Sequence, residues 1–115
     1  MTTRIARPPR PREADIQKAV MDLLAARGFR VFRRNVMGVV PMKGGVVRVN
    51  QRGMADLWGW HIGTGRHLEC EVKRPGKQPT AYQAAWLEDA WQHGALAFSC
   101  DSVDSCEAEL YRWGY

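Results

Sequence analysis

Apolar positions recur along this chain at two periods, and the changes of period mark its elements. From Glu13 to Arg27, Ile16, Val20, Leu23 and Leu24 fall on one face of a 3.6-residue repeat, which predicts an amphipathic helix stopped by Gly28. Alternation predicts strands over Phe29 to Arg34, Ala55 to Trp60, His67 to Lys73 and Ala95 to Cys100. Between the first two, Val36 to Val49 contains Gly38 and the Gly44-Gly45 pair, which predict a hairpin or an irregular loop ending in a strand at Val46 to Val49. Gly63-Thr64-Gly65 is the turn before His67, and Arg74 to Pro79 reads as a loop. Thr80 to His93 repeats with Trp86, Leu87, Ala90 and Trp91 toward a core and Gly94 as its stop, and Ser102 to Tyr111 closes the chain as a last helix. The order α-β-β-β-α-β-α, without internal repeats, describes one α/β domain over residues 13 to 115.

Alternation in His67-Leu68-Glu69-Cys70-Glu71-Val72-Lys73 sends Leu68, Cys70 and Val72 to one side of a strand and Glu69, Glu71 and Lys73 to the other. A carboxylate and an ammonium held side by side can divide a reaction between them: one binds a divalent cation, the other contacts an attacking water or a scissile phosphate. Asp56, on the preceding strand, would supply a second carboxylate. Around the first helix, Glu13 lies within about 20° of Val20 and Leu24, which turns it inward, although an acid in a first turn also suits the helix dipole. Gln83 lies about 40° from Leu87 and about 20° from Ala90, again inward. Thr80-Ala81-Tyr82-Gln83 equally fits a capping box, in which the glutamine returns to the Thr80 amide. Glu69 has no lysine two residues on and reads as a structural or outer group.

These residues resemble, in order, the PD-(D/E)XK nuclease motif and its VRR-NUC branch. The resemblance rests on Glu13, Gly53-Met54-Ala55-Asp56-Leu57, Glu71-Val72-Lys73-Arg74-Pro75-Gly76 and Thr80-x-x-Gln83, and spans roughly residues 13 to 102. Ala55 stands where the superfamily's name has proline. The resemblance implies a restriction-endonuclease-like core, a mixed central sheet flanked by helices. It also implies Mg²⁺, with Mn²⁺ as a substitute, held by Asp56, Glu71 and the Val72 carbonyl, with Glu13 binding a second ion or orienting water. Gln83 would orient Lys73 or a phosphate. Lys73 would activate the water or clamp the phosphorus, against the plainer alternative of a salt bridge to Glu71 or Glu69. Stand-alone members look like junction resolvases, so the implied substrate is branched DNA, four-way junctions first, cut by a homodimer in repair or recombination. A sequence-specific restriction nuclease and a non-catalytic nucleic-acid-binding domain are the alternatives.

Charge bears on the partner. Residues 1 to 53 hold twelve Lys or Arg against three Asp or Glu, a balance of +9, and residues 54 to 115 hold five against nine, a balance of −4. The +9 half is suited to a polyanion. Residues 1 to 12 interleave Arg4, Arg7, Arg10 and Arg12 with Pro8, Pro9 and Pro11, which predicts a flexible arm that reaches nucleic acid or is a solvated tail. Arg33, Arg34, Lys43, Arg48 and Arg52 lead up to Asp56; of these Arg33, Arg34, Lys43 and Arg52 are candidate DNA contacts, as are Arg74 and Lys77 after the acidic strand, beside the ordinary alternative of a solvated basic loop.

At 115 residues the chain is too short for a separate specificity domain, so recognition is expected from the same domain as the chemistry. No apolar run approaches the roughly 20 residues of a membrane span, and Met1-Thr2-Thr3-Arg4 is not followed by the apolar stretch of a signal peptide; a cytoplasmic protein is expected. Cys70, Cys100 and Cys106 are an odd number without a Cys-x-x-Cys pair, which argues for reduced structural thiols. His61, His67 and His93 do not cluster, no Ser-His-Asp or Cys-His spacing appears, and Gly44-Gly45 lacks the lysine of a nucleotide-binding loop. Five tryptophans exceed what so small a core readily hides, which places Trp86 and Trp91, or Trp113, as expected subunit contacts.

Overall fold

The computed structural model describes residues 11–34, 39–48 and 52–115. Of the arm, only Pro11 and Arg12 fall within them; Gly38, Val36, Val49 and the side chain of Arg48 lie outside the described residues.

Helix α1 (Glu13–Ala26) packs its Ile16, Val20 and Leu24 stripe inward, and Glu13 and Asp15 occupy its first turn, where acids suit the positive end of the helix dipole. The chain continues as β1 (Phe29–Arg33), then a two-stranded antiparallel ribbon of β2 (Val39–Met42) and β3 (Gly45–Arg48). Thus the glycine-bearing segment is a hairpin, turning at Lys43 and Gly44. Strands β4 (Leu57–His61) and β5 (His67–Val72) follow, then α2 (Ala81–Gln92), β6 (Leu96–Cys100) and α3 (Val103–Arg112).

The main sheet has the order β1-β4-β5-β6. Its first two pairings are antiparallel, and β5 pairs with β6 in parallel through the α2 crossover. Apart from the β2–β3 ribbon, this is the expected mixed sheet with helices in the expected order. One face presents Phe29, Leu57, Leu68, Cys70, Val72, Leu96, Phe98 and Cys100 to α1 and α3, and Cys106 and Leu110 of α3 complete the core. The three cysteines are buried free thiols, with Cys70 Sγ 3.8 Å from Cys100 Sγ.

The opposite face is polar at its centre. Every residue of β5 from Leu68 to Val72 is buried, the carboxylates of Glu69 and Glu71 included, because β5 is an inner strand and α2 covers its second face. This alters two expectations. Helix α2 contributes no fully buried residue; Trp86, Leu87, Ala90 and Trp91 are each half-buried, since the helix lies over buried carboxylates and needs hydrogen-bond donors there as much as apolar bulk. Glu13 is exposed instead of inward, because burial along its stripe begins one turn later, at Ile16. A helical wheel gives direction around the axis, not how far the cover extends along it. Among the described residues, no helix is long and apolar enough to cross a membrane.

Candidate active site

Asp56 ends the loop before β4, and Glu71 lies near the end of β5; each carboxylate accepts a backbone hydrogen bond from the segment that carries the other. Asp56 N donates to Glu71 Oε2 at 3.1 Å, and Val72 N donates to Asp56 Oδ2 at 3.3 Å. Asp56 is thereby fixed by β5, and Glu71 by the loop that carries Asp56. Gly53 sets the approach to this loop: its φ is +87°, and a Cβ there would lie 2.5 Å from the Tyr82 carbonyl oxygen, so only glycine lets the segment before Asp56 lie against the first turn of α2. Arg52 closes the same contact by placing its guanidinium 4.0 Å from the centre of the Tyr82 ring.

The next residue of α2, Gln83, serves two partners. Its Oε1 accepts from Thr80 N at 2.9 Å, Thr80 Oγ1 accepts from Gln83 N at 3.2 Å, and its Nε2 donates to Glu71 Oε1 at 3.0 Å. The capping box and the inward direction, alternatives in the sequence, are both present. They are also linked: the Thr80 N–H requires the amide oxygen, which leaves the amide nitrogen to face Glu71. Lys73 Nζ stands 3.7 Å from the same Glu71 oxygen, and its backbone N–H donates to the Cys100 carbonyl at 2.9 Å.

Burial and the neighbouring charge of Asp56 push the Glu71 carboxyl up to about 8, against the opposing pull of Lys73. Buried Glu71 and half-buried Asp56 share a corner with one ammonium, an arrangement whose excess negative charge favours a proton or a hard cation. The donor oxygens of Asp56 and Glu71 fit such a cation, and the Val72 carbonyl belongs to the residue between Glu71 and Lys73. Glu13 does not join them: among the described residues no group of three His, Cys, Asp or Glu is placed to hold a metal.

The basic residues divide. Arg34 is engaged inside the fold, contrary to expectation: its guanidinium bonds both Glu69 oxygens at 2.7 and 2.9 Å and the Ala55 carbonyl at 2.8 Å, and it lies 5.9 and 5.8 Å from the rings of Trp58 and Trp86. Burial raises the Glu69 pKa, but hydrogen bonds from Arg34 and Trp86, the Arg34 charge and a hydrogen bond to His67 outweigh it and hold the carboxyl below its ordinary value. Trp86 Nε1 donates to Glu69 at 2.6 Å, and His67 Nε2 is 2.6 Å from its other oxygen. Glu69 is structural, as its sequence context suggests, but its partner is invisible there, because Arg34 is 35 positions away and nothing local pairs them. Arg33, Lys43, Arg52, Arg74 and Lys77 are exposed, and Lys77 shares a 190 Å³ cleft with Lys73.

No protein-family model matches this chain, and no curated protein sequence matches it. Among solved structures, one described as "VRR_NUC domain" is similar with a TM-score of 0.64 and 22% sequence identity, over 90% of this chain and 97% of that one.

Proposed function

Starting from a chain with the VRR_NUC fold, we propose that it is a Mg²⁺-dependent endodeoxyribonuclease that hydrolyses phosphodiester bonds. The observation that carries this reading is the Asp56–Glu71 pair, two carboxylates each bonded to the segment that carries the other, with Lys73 Nζ 3.7 Å from Glu71. Asp56, Glu71 and the Val72 carbonyl would hold Mg²⁺, or Mn²⁺ in its place, which when bound neutralises phosphate charge and acidifies water. Asp56 and Glu71 supply the negative oxygens that such an ion needs, and their backbone partners keep them in place. Gln83 restrains Glu71 so that one carboxylate oxygen faces Lys73. The Lys73 ammonium, beside this pair, is positioned to meet a phosphate oxygen or the attacking water. A purely binding domain would gain nothing from a half-buried and a buried carboxylate set together against a polyanion.

The finer reading is a homodimer that resolves four-way DNA junctions. Each chain has one Asp56–Glu71 site, and paired cuts in a symmetric junction need two sites related by a two-fold axis. Half-buried Trp91 and exposed Trp113 meet at a tilt, ring centroids 4.5 Å apart, beside a 440 Å³ groove between α2, β6 and α3, a partly exposed aromatic surface of the kind that dimer contacts use. Trp86, bonded to Glu69, is not free for that role. The test is cleavage of a four-way junction and of linear duplex of the same sequence, with Mg²⁺ and with chelator, alongside light scattering. Junction cutting by a dimer supports this reading; equal cutting of both substrates removes the junction preference, and a monomer with and without junction DNA removes the dimer.

A further inference from the structure

The half of the polar sheet face that α2 leaves open carries three aromatic rings. Phe32 of β1 pairs with Trp58 of β4, and Trp60 follows two residues on, so strand register places all three on one surface. Their centroids are 5.3 Å apart for Phe32–Trp58, 5.6 Å for Phe32–Trp60 and 6.2 Å for Trp58–Trp60. Phe32 is 42% exposed and Trp60 38%. Leaving such rings together in water forgoes burial that the opposite, apolar face of the same sheet achieves, which marks a contact surface.

Its position says what it contacts. Asp56 immediately precedes β4, so Trp58 and Trp60 follow it at about 7 and 14 Å along the strand, or about two to four stacked base steps. Trp58 is paired across the ladder with Glu69, two residues from Glu71. Arg34 and His67 brace Trp58, with the guanidinium 5.9 Å and the imidazole 6.4 Å from its ring. Exposed Arg30, on the same edge strand as Phe32, is paired with Trp60 and shares the face of the rings. Basic residues around flat rings complement a polyanion with flat bases, whereas a two-fold copy docked on this face would bring like charges together.

We propose that Phe32, Trp58 and Trp60 form a stacking platform for unpaired bases of a DNA strand whose phosphates run to the Asp56–Glu71 site. The choice of DNA as partner rests on the function proposed above, and the test is a binding measurement independent of cleavage.

Affinity is measured by fluorescence anisotropy, without divalent cations, for an oligothymidylate, an abasic strand of the same length and a blunt duplex. Wild type is compared with Trp60→Leu, Trp60→Tyr and Phe32→Leu. The platform requires Trp60→Leu to weaken oligothymidylate binding about tenfold, the effect of removing one base stack, and to leave the abasic strand unchanged. Trp60→Tyr keeps a stacking ring and stays within about twofold of wild type, and Phe32→Leu weakens oligothymidylate in the same sense as Trp60→Leu. Equal losses on the thymidylate and abasic strands, or no loss in either leucine variant, overturn the platform. So does a wild-type dimer that Trp60→Leu splits, which would assign the rings to a second copy. A base-dependent Trp60 effect without Mg²⁺-dependent cleavage leaves the platform standing and removes the nuclease reading; cleavage without a Trp60 effect does the reverse.

Discussion

Gln83 donates its Nε2–H to Glu71 Oε1 at 3.0 Å while its own Oε1 completes the N-terminal cap of α2. One amide thus ties the position of a candidate metal ligand to the start of a helix. The two duties separate by mutation. Thr80→Ala removes the cap acceptor for the Gln83 N–H and should cost about 1 kcal/mol with little change in turnover. Gln83→Ala keeps that backbone bond, removes the other half of the cap together with the Glu71 contact, and should lower turnover roughly tenfold, the equivalent of one hydrogen bond. Thermal unfolding and DNA cleavage of both variants check this, and equal activity in the two would reduce Gln83 to a cap.

Glu71 makes the stability of the metal-free protein depend on pH. Its carboxyl titrates near 8 in the fold and at 4.5 without it, so between those values the folded state holds a proton that the unfolded chain has released. Stability from this group is full below the unfolded value and is lost as pH rises through the folded one, at up to about 1.4 kcal/mol per pH unit. Melting temperature in chelator should therefore fall toward alkaline pH in wild type and fall less in Glu71→Gln. Added Mg²⁺ should restore the wild type and not the variant. Parallel pH profiles for the two proteins would contradict the assignment.

Arg34 should matter to stability more than to DNA. Removing one partner of a buried ion pair costs about 3 to 5 kcal/mol, because the remaining charge stays buried and alone. Arg34→Ala leaves Glu69, 1% exposed, without its guanidinium and with only the Trp86 and His67 contacts. A large drop in melting temperature is expected. A near-normal melting temperature combined with weakened DNA binding would return Arg34 to the phosphate-contacting role read from the sequence.

Deleting residues 1 to 11 tests the basic arm. If Arg4, Arg7 and Arg10 meet phosphates, the slope of log affinity against log salt for duplex DNA should become shallower by about 0.9 for each phosphate that is no longer neutralised, with no change in melting temperature. An unchanged slope would make the arm a solvated tail.

What the sequence made legible was local. Period-two alternation around Glu71 and the Gly63-Thr64-Gly65 turn place Glu71 on the strand that neighbours β4, which Asp56 immediately precedes, and the Thr80-x-x-Gln83 spacing announces the cap. Three features were not legible, each because it depends on distant packing. The Arg34–Glu69 pair joins strands through β4 and α2, so Arg34 read as one more surface cation. Glu13 shares the azimuth of Val20 and Leu24 but sits before the helix becomes covered. Helix α2 carries apolar residues at core spacing, yet the face beneath it holds Glu69 and Glu71, and its tryptophans stay half-buried.

The most direct test of the proposed chemistry is DNA cleavage by wild type and Asp56→Asn, each with Mg²⁺ and with chelator, accompanied by DNA binding of both proteins. Asp56→Asn keeps the shape of the side chain and removes the charge that a cation needs. A metal-dependent site at Asp56 and Glu71 requires cutting by wild type only when Mg²⁺ is present, and none by Asp56→Asn, which should still bind DNA at least as well because a negative charge facing phosphate is gone. Wild type that binds DNA and never cuts it, or Asp56→Asn that cuts as wild type does, would contradict it.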